Sequence, residues 1–275
     1  MSASVVSSAS YVLATGAAAV RRLHVLHDVY SPVGRRVLLQ AGLKQGMKAA
    51  DFGCGVGVVT RMLAKMVGPT GHVTGIDLNA AQLEEASGLC ARDGLTNTRL
   101  VEGSAYSAGL PRNHFDLVYC RFLLLHLADP DACLREMRDV LRPGGILVVE
   151  DGDLATAGSV PGSAMNAFAD LFGRLGRVRG LNYSIGQDLH QLVTSTGFPK
   201  ANLESHQPAL TRGDHRHFLQ WSVEEAGPAL VKEGILTADE LVETLSAMQV
   251  VAEDSHILIL APRMFLVWAR KAAGF

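Results

Sequence analysis

Cysteine is scarce in this chain and arranged without pattern. Residues 54, 90, 120 and 133 form no C-x-x-C pair and no spacing of the metal-ligand type. A disulfide scaffold and a thiolate metal site are therefore not expected; the thiols read as reduced and the setting as cytoplasmic. Charge of one sign is missing as well. A net charge of −2 gives no long-range pull toward nucleic acid or an anionic membrane, and there is no basic tail or RNA-binding signature. No apolar run is long enough to span a bilayer. The Ala/Ser-rich start, residues 1–20, has no basic residue ahead of its apolar part, so it reads as neither a signal nor an anchor. Internal repeats are absent. What is present is 48% hydrophobic and 19% charged residues over 275 positions, a soluble globular composition with a well-stocked core. That length suits one large domain or a domain with a lid.

The most informative stretch is Ala49-Ala50-Asp51-Phe52-Gly53-Cys54-Gly55-Val56-Gly57. Small apolar residues lead to an acid, three glycines come next at alternate positions, and apolar residues then recur at 59, 62, 63, 66 and 67 with helical spacing. This is a strand, a glycine turn and a helix, the opening of a nucleotide-binding α/β unit. A dinucleotide fingerprint is G-x-G-x-x-G; here the third glycine comes one residue early. Asp51 would repel a pyrophosphate and attract an ammonium or sulfonium cation. S-adenosylmethionine carries both cations together with an adenosine. The bland alternative is a turn that holds no ligand, although glycines in a first βα turn usually admit close backbone approach to something.

Strands and helices alternate from there. Residues 11–29 read as a helix, and Ser31-Pro32 as the N-cap and first position of a second, 33–41. These precede the first strand and either cross the mouth of the site or cover a sheet edge. Strand two, 72–77, ends at Asp77, about 20 residues past the glycines, where an acid can accept both ribose hydroxyls of an adenosine. Asn79 caps the helix after it. Strand three runs over 98–105 and brings Ser104 and Ala105 to its end, beside the adenine. Strand four, 115–120, delivers Cys120 and Arg121 to the same crevice, because ligands of open α/β sheets sit at the carboxyl ends of the strands. Pro143-Gly144-Gly145 stops the next helix, and strand five, 146–151, ends in acids. Helical signals fill 154–198, residues 201–206 alternate like a strand, two helices occupy 214–233 and 237–250, and 264–271 is a terminal strand. The expected division is one domain, 1–275: an N-terminal helical cover (1–45), a cofactor-binding core (46–153), and two substrate-shaping insertions (154–198 and 208–258).

The chain resembles the class I S-adenosylmethionine-dependent methyltransferases, the broad group containing ubiquinone- and menaquinone-pathway and natural-product enzymes. The resemblance rests on Asp51-x-Gly53-x-Gly55-x-Gly57, Asp77, Phe115-Asp116-Leu117-Val118, His126-Leu127 before Asp129-Pro130, and Leu141-Arg142-Pro143-Gly144-Gly145. It covers residues 30–150 closely and the terminal strands more loosely. It implies a Rossmann-like, doubly wound seven-stranded sheet with an antiparallel last strand. It also implies that Asp51, Gly53 and Gly55 hold the methionine part of the cofactor and Asp77 the ribose, with Cys54 and Leu78 beside them. The family often has an acid where Ser104 stands, so the adenine contact is expected to be weaker or made by backbone.

A methyl group on sulfonium is already activated, so the enzyme's task is alignment and exclusion of water. A base is needed only for a protonated acceptor. Candidates are His126, Asp151 and His206, with His27 behind them. A lone His among leucines is more often a satisfied core histidine, and acids at a strand end more often cap the next turn of chain. Arg174, Arg177 and Arg179 suggest an anionic acceptor, against the plainer reading of a solvated helix face. The expected function is methyl transfer to a small-molecule acceptor. A methyltransferase acting on RNA or protein, and a non-catalytic binder, remain alternatives. The acceptor, its reacting atom and the oligomeric state, homodimer included, are not legible.

Overall fold

The computed structural model describes residues 17–273, with side chains from residue 21 onward. The expected helix start at residue 11 and the Ala/Ser-rich segment before it lie outside the described residues. The chain runs α1 (Ala17–Ala41), β1 (Lys48–Phe52), α2 (Val58–Val67), β2 (His72–Asp77), α3 (Ala80–Arg92), β3 (Thr98–Glu102), β4 (Phe115–Arg121), α4 (Pro130–Val140) and β5 (Leu141–Asp153). Beyond these lie β6 (Gly158–Val160), α5 (Ala167–Arg179), α6 (Leu189–Ser195), β7 (Ala201–His206), β8 (Ala209–Leu210), α7 (Phe218–Lys232), α8 (Ala238–Glu253), β9 (Leu258–Leu260) and β10 (Arg263–Arg270).

The main sheet has seven strands in the order β3-β2-β1-β4-β5-β10-β7. The first five are parallel, and β10 is antiparallel to both its neighbours. This is the doubly wound, Rossmann-like sheet expected, with its antiparallel final strand. The central strands are apolar on both faces, as strands covered by helices on both sides must be. Val118, Leu147, Val148 and Val149 are fully buried. The order reverses between β1 and β4, so the crevice opens at the carboxyl ends of those strands, where the glycine turn lies.

Two expectations change. The N-terminal segment is one helix, α1, with Pro32 inside it, not two helices meeting at Ser31. Proline removes one helix hydrogen bond. Burial of Val25, Leu26 and Tyr30 before it, and of Val37 and Leu38 after it, holds both halves against the same core. The second change is a small antiparallel sheet, β6-β9-β8, which joins the two insertions. Strands of two or three residues carry no readable period. Among the described residues no helix is long and apolar enough to cross a membrane.

Candidate active site

The turn after β1 is built by backbone geometry that only glycine accepts easily. Gly53, Gly55 and Gly57 lie at φ 69°, 53° and 76°. A Cβ on Gly57 would come 2.9 Å from the Cβ of Ala86 on α3, and one on Gly53 would come 2.8 Å from Leu123. Close packing therefore fixes the loop from both sides. The Cys54 amide donates to Ile76 O at 2.9 Å, which ties the turn to the end of β2.

Asp77 completes that tie. Its carboxylate accepts the Gly55 amide at 2.8 Å through one oxygen and the Asn79 amide at 2.9 Å through the other. Each oxygen keeps a second lone pair. Burial raises its pKa, against the pull of those amides. Leu78, next along, is 44% exposed, a large apolar side chain facing outward beside the acid.

A cavity opens directly on the loop. Its floor is Gly53, Cys54, Gly55 and Gln82. One wall is α1, through Arg22, Leu23 and Leu26; the end of β4 and the turn after it contribute Arg121, Phe122, Leu125 and His126. The far wall comes from the insertions, through Phe168, Phe172, Tyr183 and Phe218. Three of those aromatics form a chain of contacts: Phe168–Phe172 tilted at 4.6 Å and Phe172–Tyr183 edge-to-face at 5.6 Å. Phe122 adopts φ 50°, a left-handed conformation rare for a bulky residue. Gly152 on β5 permits it, since a Cβ there would meet the Phe122 ring at 2.8 Å. Arg22 pairs with Glu225 of α7 in a buried bridge, so α1 and α7 are pinned together across the opening.

Gly53, Cys54, Gly55, Arg121 and His126 thus meet in one cavity, with Asp77 joined to them through the Gly55 amide. Arg121 Nη2 lies 3.3 Å from His27 Nδ1, while its Nη1 is buried without a partner. His126 meets Tyr183 edge-to-face at 5.8 Å; burial and the Arg22 cation push its pKa down to about 3, so its imidazole is neutral.

The remaining sequence candidates do not line this cavity. Asp51 is sealed beneath the loop, where it accepts the Thr60 hydroxyl at 2.6 Å, and burial lifts its pKa to about 7. Cys120 is fully buried within β4. Asp151 is fully buried too and accepts the amides of Leu124 (2.8 Å), Leu125 (3.3 Å) and Gly152 (3.1 Å). It caps the turn that carries His126, which is a different task from proton abstraction. His206 sits at the end of β7, 5.8 Å from the Tyr30 ring. Ser104 uses its hydroxyl to accept the Tyr106 amide at 3.2 Å, and Ala105 lies in the same turn. Two of the three arginines of α5 are bound within the fold. Arg174 donates to Ile235 O at 2.7 Å, Arg179 pairs with Glu233 at 3.1 Å, and neither they nor Arg177 reach the cavity. Sequence reasoning missed Arg22, Tyr183 and Phe218. The Phe168/Phe172 spacing on one helix face was the only local signal for that wall.

Residues 50–149 match the family model of the methyltransferase domain. The chain carries a class I S-adenosylmethionine-dependent methyltransferase domain. Over 114 residues it is 41% identical to demethylmenaquinone methyltransferase of Staphylococcus aureus strain JH9, a stretch covering 42% of this chain and 46% of that protein. The chain thus spans less than half the length of the curated relatives it matches. A putative methyltransferase from Bacillus halodurans superposes with a TM-score of 0.60 at 20% identity, covering 86% of this chain and 98% of that one. The [4+2]-cyclase SpnF superposes with a TM-score of 0.56 at 20% identity, covering 88% and 81%. These likenesses show the fold, and a fold alone does not name a reaction.

Proposed function

We propose that this chain transfers a methyl group from S-adenosylmethionine to a small, largely apolar acceptor. The observation that carries this is the joined pair of loop and acid: a glycine turn with exposed backbone, fastened by Asp77, opening directly onto an aromatic-lined cavity. The residues suit this donor. Asp77 has lone pairs left for a ribose diol, Leu78 offers an apolar face to the adenine beside Ser104 and Ala105, and Gly53, Cys54 and Gly55 form a floor without bulky side chains. Arg121 brings an unsatisfied guanidinium N–H to the amino-acid end. Asp51 and Cys120 support from below, Asp51 by holding the loop through Thr60.

When bound, the donor supplies a methyl on cationic sulfur, an electrophile needing no further activation. The protein's contribution is alignment and dryness. Phe122, Leu125, Phe172 and Tyr183 exclude water. His126, kept neutral, accepts a hydrogen bond from an acceptor hydroxyl and orients it. Asp151 holds the His126 turn in place, and His206, outside the cavity, is left without a role in transfer. The name of the Staphylococcus relative makes a demethylated quinol ring the first acceptor to screen. The near-neutral charge favours a small molecule over RNA. Four buried free thiols suit a reducing, cytoplasmic setting.

The test is calorimetric titration with S-adenosylmethionine, S-adenosylhomocysteine and NAD, beside Asp77→Ala. Two hydrogen bonds to a charged group correspond to about 100-fold or more in affinity. Micromolar binding of the first two ligands, lost in the variant, is the expected result. Binding of NAD alone, or of nothing, would refute the reading.

A further inference from the structure

The amino ends of β1, β2 and β3, opposite the crevice, carry a group of basic side chains that methyl transfer does not use. Lys48 and His72 are register partners, and Arg99 pairs with Thr74 two residues further along β2. Paired residues of parallel strands point to the same face, and so do residues two apart. Lys48, His72, Thr74 and Arg99 therefore share one face of the sheet. Asp51, one step out of phase on β1, points to the other face, where it meets α2. No helix connects β3 to β4; the loop 103–114 crosses instead, and it covers this corner with Leu110, Pro111 and His114. Beneath the loop remains a cavity of about 220 Å³, to which His114 adds a fourth basic side chain. By the same measure a single water needs roughly 10–15 Å³.

No acidic residue lines this cavity. The adjacent carboxylate, Asp116, is committed: it accepts the Lys48 backbone amide at 2.8 Å and Arg142 Nε at 2.6 Å. Among the described residues the Lys48 ammonium, the Arg99 guanidinium and the His72 ring make no ion pair and no hydrogen bond. In a chain with a net charge of −2, Lys48 and Arg99 are a local concentration of unpaired positive charge, with the His72 imidazole between them. His72 registers it. Burial, and then the Arg99 and Lys48 cations, lower its pKa and favour the neutral ring.

We propose that this cavity is a binding site for a phosphate group, separate from the methyl-transfer site. A phosphate brings up to two negative charges and three acceptor oxygens. That matches an ammonium, a guanidinium, an imidazole and the Thr74 hydroxyl better than a carboxylate with one charge and two oxygens. A soluble phosphomonoester and a phospholipid headgroup present the same chemistry, and the test separates them.

Inorganic phosphate is titrated into the full chain by calorimetry, while the His72 ring is followed by NMR. The comparison is with Lys48→Gln/Arg99→Gln, and with Arg99→Lys, which keeps the charge. Losing two charge-assisted hydrogen bonds is expected to weaken phosphate about 100-fold or more, with the unfolding temperature unchanged and Arg99→Lys retaining most of the affinity. His72 resonances shift on titration of the wild type and stay still in the double variant. Sedimentation with phosphatidylcholine vesicles containing phosphatidic acid, abolished in the double variant, assigns the headgroup as the source; phosphate binding without sedimentation assigns a soluble monoester. Equal phosphate binding by the wild type and the double variant, or no heat and no His72 shift at millimolar phosphate, would overturn the proposal.

Discussion

Replacing Glu150 by glutamine isolates the electrostatics beneath α1. Glu150 lies on β5 in register with Arg121 and is fully buried, with the Tyr119 hydroxyl beside its carboxyl group. Gly34 of α1 packs onto it so tightly that a Cβ there would fall 2.6 Å from Oε1. Burial lifts the carboxyl from 4.5 to about 7, and the Arg121 charge and the Tyr119 hydroxyl only partly offset that rise. Between those pH values the folded protein holds a proton that the unfolded chain has released. Stability therefore falls as pH climbs through that window, and the loss is complete above it. A gap of that size is roughly 3 kcal/mol. Glutamine has no such ionisation. Glu150→Gln is expected to match the wild type near pH 4.5 and to exceed it by up to about 3 kcal/mol at pH 8, or about 5–10 °C in unfolding temperature for a chain of this size. Urea and thermal unfolding at both pH values decide it. An equal difference at the two pH values, or a less stable variant at pH 8, would show that Arg121 or a water already compensates the ionised carboxylate.

The same geometry sets three other outcomes. His126→Ala is expected to lower kcat about 10- to 100-fold, the worth of one buried hydrogen bond, with little change in affinity for S-adenosylmethionine. Because burial keeps that imidazole neutral, with a pKa of about 3, His126 adds no inflection to the kcat–pH profile between pH 5 and 8; an inflection lost in His126→Ala would refute the neutral role. Gly57→Ala forces a side chain into a left-handed conformation against Ala86 and is expected to cost about 1–3 kcal/mol, read as a lower urea midpoint together with weaker cofactor binding. Arg22→Met leaves Glu225 buried opposite an uncharged side chain and is expected to destabilise by about 3–5 kcal/mol in chemical denaturation.

The parallel core was legible because its strands are short apolar runs closed by glycine, proline or an acid. Asp77 and the glycine turn were legible because their spacing is local. Asp51 was legible as a position and not as an environment, since its partner Thr60 lies on the first turn of the next helix. Ser31-Pro32 carries every local mark of a helix start, and only the shared burial of both flanks shows that α1 runs through it. Asp151 and His126 looked like alternative bases. Their relation, with one capping the turn that carries the other, depends on the pairing of β4 with β5. Tyr183, Phe218 and Arg22 come from three distant segments and meet only in the folded chain.

The cavity's floor and two of its walls come from separate stretches of the chain. The floor and the side formed by Arg121, Phe122, Leu125 and His126 lie within residues 50–149, which match the family; α1 precedes that stretch and the aromatic wall comes after it. On the function proposed above, mutational drift in the flanking segments can change which acceptor fits while leaving the donor's seat untouched. The Arg22–Glu225 bridge sets a condition on such change, because the segments before and after the core meet there and must vary together. A laboratory graft that moves both flanks as a pair is therefore a sounder route to a new acceptor than exchanging either one alone.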